Sequence, residues 1–338
     1  TGLPGRTYGL PRFKNAVFSA RFPFAEICFE DRQFPLAVSL KAWSPFTPPH
    51  ADDSSCPVAY LEYTFENTRS IPLEAVYYYS SMNFMAQGSG VRSVYPVEGG
   101  FVLAQEGTPE KPWDRGYYTA AVRDPAVRVN TALFRGGWYD SLTMLWNDIE
   151  AGKSEEKYRE NDSEYPNPGG SLSLPFRLEP GERKTIVVQC GWYVPESRLR
   201  IGQTDQKEPY TDEQLVNLKR YQPWYTTKFR SVEDVAEFAA SHYERLRKET
   251  ALFCDTFYAS TLPDIVLEAV GANLCILKSP TVLRQTDGRL WCWEGCCDSV
   301  GSCHGSCTHV WNYAQALCHL FPAMERSLRQ TEFFDSQN

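Results

Sequence analysis

The sequence predicts a multidomain β-plus-α chain, an N-terminal antiparallel β-sandwich followed by a helical domain. Three observations carry this. From residue 16 to about 195 the hydrophobic period is two, in short segments bounded by Pro, Gly, Asn or Asp. From Ser231 onward apolar residues recur at three and four instead. Between them, Gln203 to Gln222 is a polar connector. The expected division is a β-sandwich over residues 1–200, a connector over 201–230 and a helical domain over 231–338.

Strands are expected at Arg21–Glu30, Leu36–Trp43, Val58–Asn67, Leu73–Ser80, Gly100–Ala104, Tyr117–Val122, Val127–Thr131 and Thr185–Tyr193. Pro180-Gly181 sets the reversal that feeds the last of them. Asp140 to Asp148 reads as a short helix, and the charged segment Glu150 to Pro168 as a solvated surface loop. In the connector, Thr211 to Leu218 carries a weak helix. Ser231, with Asp234 three residues on, is an N-cap for a long amphipathic helix through Val235, Ala239, Tyr243, Leu246, Thr250, Phe253 and Phe257. Pro263 sits near the first turn of a second helix, which is apolar on most sides and is therefore expected to be buried. Thr281 to Glu294 reads as a β-hairpin turned by Asp287-Gly288. Thr308 caps a third helix with His309, Tyr313, Ala316, Leu317 and Leu320 on one stripe, and Pro322 breaks it before a fourth begins.

Composition narrows the function. The net charge is −8 and no run of Lys or Arg occurs, which argues against nucleic acid as a partner. No stretch reaches the roughly 18 apolar residues of a membrane span. An aromatic content of 14% suits a neutral polar ligand better. Thr1-Gly2-Leu3-Pro4 does not resemble a signal peptide, and the absence of an initiator Met suggests that both ends are cut. The eleven cysteines, several of them in apolar segments, read as reduced thiols, which leans the chain towards the cytoplasm.

Chemistry concentrates between Trp291 and Pro322, which hold six of the eleven cysteines, three of the five histidines and three of the nine tryptophans. Glu294 stands there between Trp293 and Gly295 at the end of the hairpin. An aromatic ring offers a pyranose an apolar face, and a carboxylate beside it can attack or protonate at the anomeric carbon. His309 is a candidate to bond a sugar hydroxyl, or a core histidine satisfied by backbone. Asp298 could orient a hydroxyl or cap the loop. The cysteine spacing, Cys292-x3-Cys296-Cys297-x5-Cys303-x3-Cys307, is too crowded for ordinary paired zinc knuckles, so a tight loop of small residues is preferred to a metal site. Two alternatives stay open: a non-catalytic carbohydrate-binding or scaffolding module on the β-sandwich, and a metalloprotein using the Cys/His loop.

These residues resemble glycoside hydrolase family 116, which includes bacterial β-glucosidases and the non-lysosomal glucosylceramidase. The resemblance runs through Arg21-Phe-Pro-Phe-Ala, Ala42-Trp-Ser-Pro-Phe-Thr-Pro, Pro57-Val-Ala-Tyr-Leu-Glu-Tyr, Pro223-Trp-Tyr-Thr-Thr-Lys-Phe, Trp293-Glu-Gly and His309-Val-Trp-Asn-Tyr. It implies an N-terminal β-sandwich followed by an (α/α)6 toroid. It also implies retaining hydrolysis of β-glucosides or glycolipid-type substrates, with no cofactor and no metal. The nucleophile would be Glu294, with Trp293, Asp298, His309 and Trp311 around the sugar, and the acid/base an Asp beyond the end of this chain. Six helix pairs need about 130 residues, whereas 108 remain from Ser231. The chain alone is therefore expected to be inactive or part of a longer protein. The crowded cysteines depart from the glucosylceramidase branch, which leaves sugar and aglycone open.

Overall fold

The computed structural model describes residues 10–134, 141–162, 164–197, 211–217, 220–293 and 311–334. The N-terminal half comprises β1 (Asn15–Arg21), β2 (Phe24–Glu30), β3 (Leu36–Trp43), the single turn α1 (Ala51–Ser54), β4 (Val58–Asn67), β5 (Leu73–Met82), β6 (Arg92–Val97), β7 (Gly100–Gln105), β8 (Gly116–Ala121), β9 (Arg128–Asn130), α2 (Ser141–Glu150), β10 (Gly169–Leu178) and β11 (Arg183–Tyr193). Eight strands form one sheet in the order β1-β2-β3-β4-β11-β8-β7-β6, and a second sheet has the order β5-β10-β9. All these pairings are antiparallel. The two sheets share one core, in which Phe65, Phe101, Leu103 and Ile186 of the large sheet meet Tyr77, Leu172 and Leu174 of the small one.

Strand period decides what faces that core. On β4, Ala59, Leu61, Tyr63 and Phe65 point into it, while Val58 and Tyr60 point to the opposite face. On β7, Phe101 and Leu103 enter the shared core, but Val102 and Ala104 are buried as well, against Val232. That strand is covered on both faces, so its sequence is a continuous apolar run.

Several expectations need correcting. Of the expected Arg21–Glu30 strand, Phe24–Glu30 is β2 and Arg21 is the last residue of β1, because the chain turns at Phe22-Pro23 and β1 pairs back onto β2. Strands β6 and β10 were masked in the sequence by Pro96 and Pro175. Strand β6 ends the large sheet, where a missing N–H is tolerated. Strand β9 pairs with β10 only across Ser171–Ser173, so at Pro175 the strand has a neighbour on one side alone. The segment after α2 is not wholly loose. Lys157 bridges Asn130, Tyr78 donates to the Lys153 carbonyl at 2.7 Å, and Asn167 is buried and donates to the Arg159 carbonyl at 3.1 Å.

Beyond the sandwich come α3 (Asp212–Val216), a 3₁₀ turn at Trp224–Thr227, α4 (Val232–Tyr258) and α5 (Asp264–Leu274). After them follow the hairpin strands β12 (Val282–Arg284) and β13 (Leu290–Cys292), then α6 (Trp311–Leu320) and α7 (Pro322–Phe334). Helix α4 starts as its cap predicts: the Ser231 hydroxyl accepts the Asp234 N–H at 3.3 Å. Asp234 reaches back one residue further than a capping box requires and accepts the Arg230 N–H at 3.0 Å. Helix α5 is less buried than its composition suggests, with Ile265 71%, Val266 38% and Val270 41% exposed and only Leu267, Gly271 and Leu274 buried.

Helix α4 lies on the outer face of the large sheet. Trp43, Tyr60 and Tyr243 pack together there, with the Trp43 and Tyr60 rings stacked at 4.3 Å. The Tyr60 hydroxyl donates to the Ala239 carbonyl at 3.0 Å. A Cβ on Gly191 would lie 2.8 Å from Val235 Cγ1, so the absence of a side chain lets helix and strand approach. At the centre of this face the Glu62 carboxylate accepts from Trp43 Nε1 at 2.7 Å, the Tyr243 hydroxyl at 2.9 Å, and Arg247 Nε and Nη2 at 2.7 and 3.0 Å. Burial alone would raise its pKa, but the donors from Arg247, Trp43 and Tyr243 outweigh burial and hold it below the usual carboxylate value.

Because Glu62 gives up its proton more readily in the fold than in the unfolded chain, its contribution is complete above the unfolded carboxylate pKa of about 4.3 and is lost as pH falls through the lower folded value. Glu62→Gln should therefore destabilise the chain by about 2 kcal/mol at pH 7, the upper range being discounted because water reaches Arg247. Urea unfolding from pH 7 down to about pH 3 should show the gap between variant and parent closing.

Candidate active-site hairpin

The β12–β13 hairpin is built from a short apolar sequence and an Asp-Gly turn. Val282, Leu283 and Arg284 pair with Cys292, Trp291 and Leu290. The turn closes through Gln285 N to the Arg289 carbonyl at 2.9 Å and Gly288 N to the Gln285 carbonyl at 3.0 Å. Gly288 has φ +87°, the left-handed region that glycine enters without steric cost. The Asp287 carboxylate accepts the Arg289 N–H at 3.0 Å.

Neighbours on both sides fix the hairpin. The connector lies along it, with Thr286 N donating to the Gln222 carbonyl at 3.1 Å and the Tyr221 hydroxyl to the Arg284 carbonyl at 3.1 Å. From α7, the Ser327 hydroxyl donates to the Gly288 carbonyl at 3.0 Å. Alternation on β13 then sorts its residues. Leu290 and Cys292 enter a cluster with Phe46, Tyr313, Leu317, Phe321 and Leu328. Trp291 and Trp293 go to the other side, packed with Tyr221 and Leu283. The Cys292 thiol is buried and its pKa is pushed up by that burial, so it is not a thiolate nucleophile.

Trp293, the residue before Glu294, is only 5% exposed; its N–H donates to the Thr281 carbonyl at 2.9 Å. Its ring lies 6.2 Å from that of Trp291 at an interplanar angle of 20°. The described chain then stops: Glu294, Asp298 and His309 lie outside the described residues, as do Cys296, Cys297, Cys303 and Cys307. Trp311 is the first residue of α6. No group of three or more His, Cys, Asp or Glu suited to a metal ion occurs among the described residues.

Around this hairpin, buried donors go without acceptors. Among the described residues, Trp291 Nε1, Trp293 Nε1, Gln285 Nε2 and Arg284 Nε have no hydrogen-bond partner. A donor removed from water and left unpaired costs about 1–3 kcal/mol.

Residues 3–246 match the model of glycosyl-hydrolase family 116, N-terminal domain, described as beta-glucosidase 2. The chain belongs to glycoside hydrolase family 116. The matched span covers the sheets and reaches into α4; the hairpin and Glu294 lie after it. No curated protein matches the chain. Among solved structures, one described as a kojibiose phosphorylase from the human microbiome is 14% identical, with a TM-score of 0.35, and the match covers 70% of this chain and 24% of that one. A family GH92 α-mannosidase from Bacteroides thetaiotaomicron is 9% identical, with a TM-score of 0.34 and coverage of 78% and 29%. Scores this low do not establish a common fold. The chain spans between a quarter and a third of the length of these proteins.

Gly288 has no neighbour within 4 Å of an added Cβ, so a substitution there tests backbone strain alone. Gly288→Ala should lower stability by about 1 kcal/mol, and Gly288→Asn by less, because Asn tolerates the left-handed region. Thermal unfolding of the three proteins should rank Gly above Asn above Ala.

Proposed function

We propose that this family 116 chain is the nucleophile-bearing part of a retaining β-glycosidase acting on β-glucosides or glycolipid-type glucosides. In this reading the Glu294 carboxylate attacks the anomeric carbon while a second carboxyl group protonates the departing glycosidic oxygen, releasing the aglycone and giving a covalent glycosyl-enzyme. Water, deprotonated by that second carboxylate, then hydrolyses the intermediate with net retention. The second carboxylate, an Asp in the family, has no matched position in this sequence. The helices from α4 onward would contribute to an (α/α)6 toroid around the site. His309, Asp298, Trp293 and Trp311 would bind the sugar, and the reaction needs no cofactor.

The observation that supports this most directly is the family membership over residues 3–246 taken with the hairpin that follows. The hairpin ends on a buried Trp whose neighbour in sequence is the Glu of the Trp-Glu-Gly motif. The two hairpin indoles, Trp291 Nε1 and Trp293 Nε1, are buried without a partner among the described residues and would suit a ligand rich in hydroxyl acceptors. A carboxylate next to two tryptophans would also have less water around it, which strengthens its charge interactions with an oxocarbenium-like transition state.

Trapping the full-length enzyme with a 2-deoxy-2-fluoro-β-glucoside should label Glu294, read by peptide mass spectrometry. Label on another residue would overturn the assignment. Glu294→Gly should lose at least roughly a thousand-fold in kcat, and added azide should restore turnover by giving a glycosyl azide of inverted configuration.

A further inference from the structure

Beneath the hairpin lies a cavity of about 450 Å³ that no step of the glycosidase reading uses. Its walls come from α1, the 3₁₀ turn, the hairpin and α6, with Phe46, Tyr221, Trp224, Tyr225 and Leu317 among the residues that line it. Two cations line it, Lys278 and Arg284, and both are held by α1. Lys278 Nζ donates to the Ser54 carbonyl at 2.7 Å and the Pro45 carbonyl at 3.2 Å. Arg284 Nη1 donates to Asp52 Oδ1 at 2.6 Å while its guanidinium lies 4.0 Å over the Trp224 ring.

The charges of the two cations are answered differently. Arg284 is paired with Asp52, yet its buried Nε has no acceptor. Lys278 has two neutral carbonyls and no carboxylate among its hydrogen-bond and ion-pair partners. An ammonium has three N–H donors, so one remains. Protein encloses the ammonium, and this burial pulls its pKa down to about 8; the nearby Cys56 thiol, pushed up to about 11 by burial, stays neutral and cannot serve as counter-ion at pH 7. Near Cys56 also lie Lys228, whose Nζ reaches the sulfur at 3.6 Å, and Asp53, which is gripped by Arg245. The cavity thus holds one ammonium with no carboxylate partner among the described residues, one N–H of that ammonium left over, and aromatic walls.

We propose that this cavity is a binding site for a small monocarboxylate carried on an aromatic or apolar body, with Lys278 as its counter-charge. One unanswered charge matches a monoanion rather than a phosphate dianion. A carboxylate oxygen matches the remaining Lys278 N–H, while Arg284, which lines the same cavity, is already paired with Asp52. The volume suits a ring-sized body, at the small end of ordinary ligand pockets. Such a ligand would bridge α1, the connector and the hairpin, and would brace the element that precedes Glu294 without touching the sugar.

The test is calorimetric titration of phenylacetate into the full-length protein at pH 7, with phenylacetamide and inorganic phosphate as controls. Saturable binding of phenylacetate is expected, with both controls at least about ten-fold weaker. Binding should weaken as pH rises past 8, because the deprotonated amine no longer offers a charge. Lys278→Met should abolish it. Since that variant leaves two carbonyls unbonded and can unfold, ¹³C-lysine NMR of the unaltered protein supplies the second measure: saturating phenylacetate should raise the pKa of Lys278. Equal binding of phenylacetate and phenylacetamide overturns the proposal. So does stronger binding of phosphate, a dissociation constant weaker than about 10 mM, or a Lys278 titration that the ligand does not move. None of these outcomes bears on labelling of Glu294.

Discussion

The placement of Glu62 constrains everything that follows it in the chain. Taking a carboxylate out of water costs several kcal/mol, and the attraction of a partner repays this only when geometry is good and every lone pair is used. Here the side chain is 6% exposed, and Arg247 grips it through two nitrogens while Trp43 and Tyr243 complete the shell. Trp43 comes from β3, and Tyr243 and Arg247 from successive turns of α4. A slide of the helix by one residue would strand the charge. The same face is shaped for that one seating, since Gly191 gives Val235 room and Tyr60 reaches the Ala239 carbonyl. Apolar contact would hold a helix on this sheet; the carboxylate fixes where along it.

Once α4 is fixed, its second half carries the position forward. Thr250 accepts the Phe46 N–H at 3.2 Å, and the Tyr258 hydroxyl accepts the Phe22 N–H at 3.0 Å. Arg245 grips Asp53 of α1 through both guanidinium nitrogens, at 2.7 and 3.1 Å. The segment between β3 and β4 is therefore clamped at both ends, and Phe46 stands from it into a ring cluster with Phe22, Phe253 and Phe321. Truncating a buried ring of this kind to Ala costs about 3–5 kcal/mol. That cluster also receives Leu290 and Cys292, so the β13 strand takes its bearing from the sandwich through four successive contacts. A glycosidase nucleophile must be held to well under an ångström, and sites on regular elements achieve this better than free loops do.

What the sequence discloses of this chain follows the physics of exposure. Strands with one wet face show their alternation, and the long helix shows its cap and its stripe, so both are legible. Strand β6 and strand β10 hide behind Pro96 and Pro175, residues that exclude a central strand but not an edge or a one-sided segment. Helix α5 misleads in the other direction, because a helix apolar nearly all round reads as buried, while Ile265 and Val270 stand in the open among the described residues. Glu62 is the hardest case. In Tyr-Leu-Glu-Tyr it looks like the wet side of a strand, and its α4 partners lie 181 and 185 residues away in sequence. Lys278 is equally silent, a single basic residue after an apolar run. Of the candidate site, the hairpin and its Asp-Gly turn are legible and Trp293 sits at its end, whereas Glu294, Asp298 and His309 fall outside the described residues.

Charge is distributed against the overall balance. The chain is acidic, at −8, yet the seam between sheet and helices holds Arg220, Arg247, Lys278 and Arg284. Two of these, Arg220 and Arg284, also carry buried N–H groups with nothing to bond, in company with the two hairpin indoles. Arginine tolerates this better than lysine would. Its charge is diffuse and it can lie on an aromatic face, as Arg220 does 5.0 Å over Trp113 and Arg284 over Trp224. Aromatic residues therefore serve here to hold cations where water is scarce. Three of these cations are paired, with Glu196, Glu62 and Asp52, and Lys278 alone of the four has only carbonyl partners among the described residues. An acceptor added beside that lysine would therefore gain more than one beside any of the three arginines.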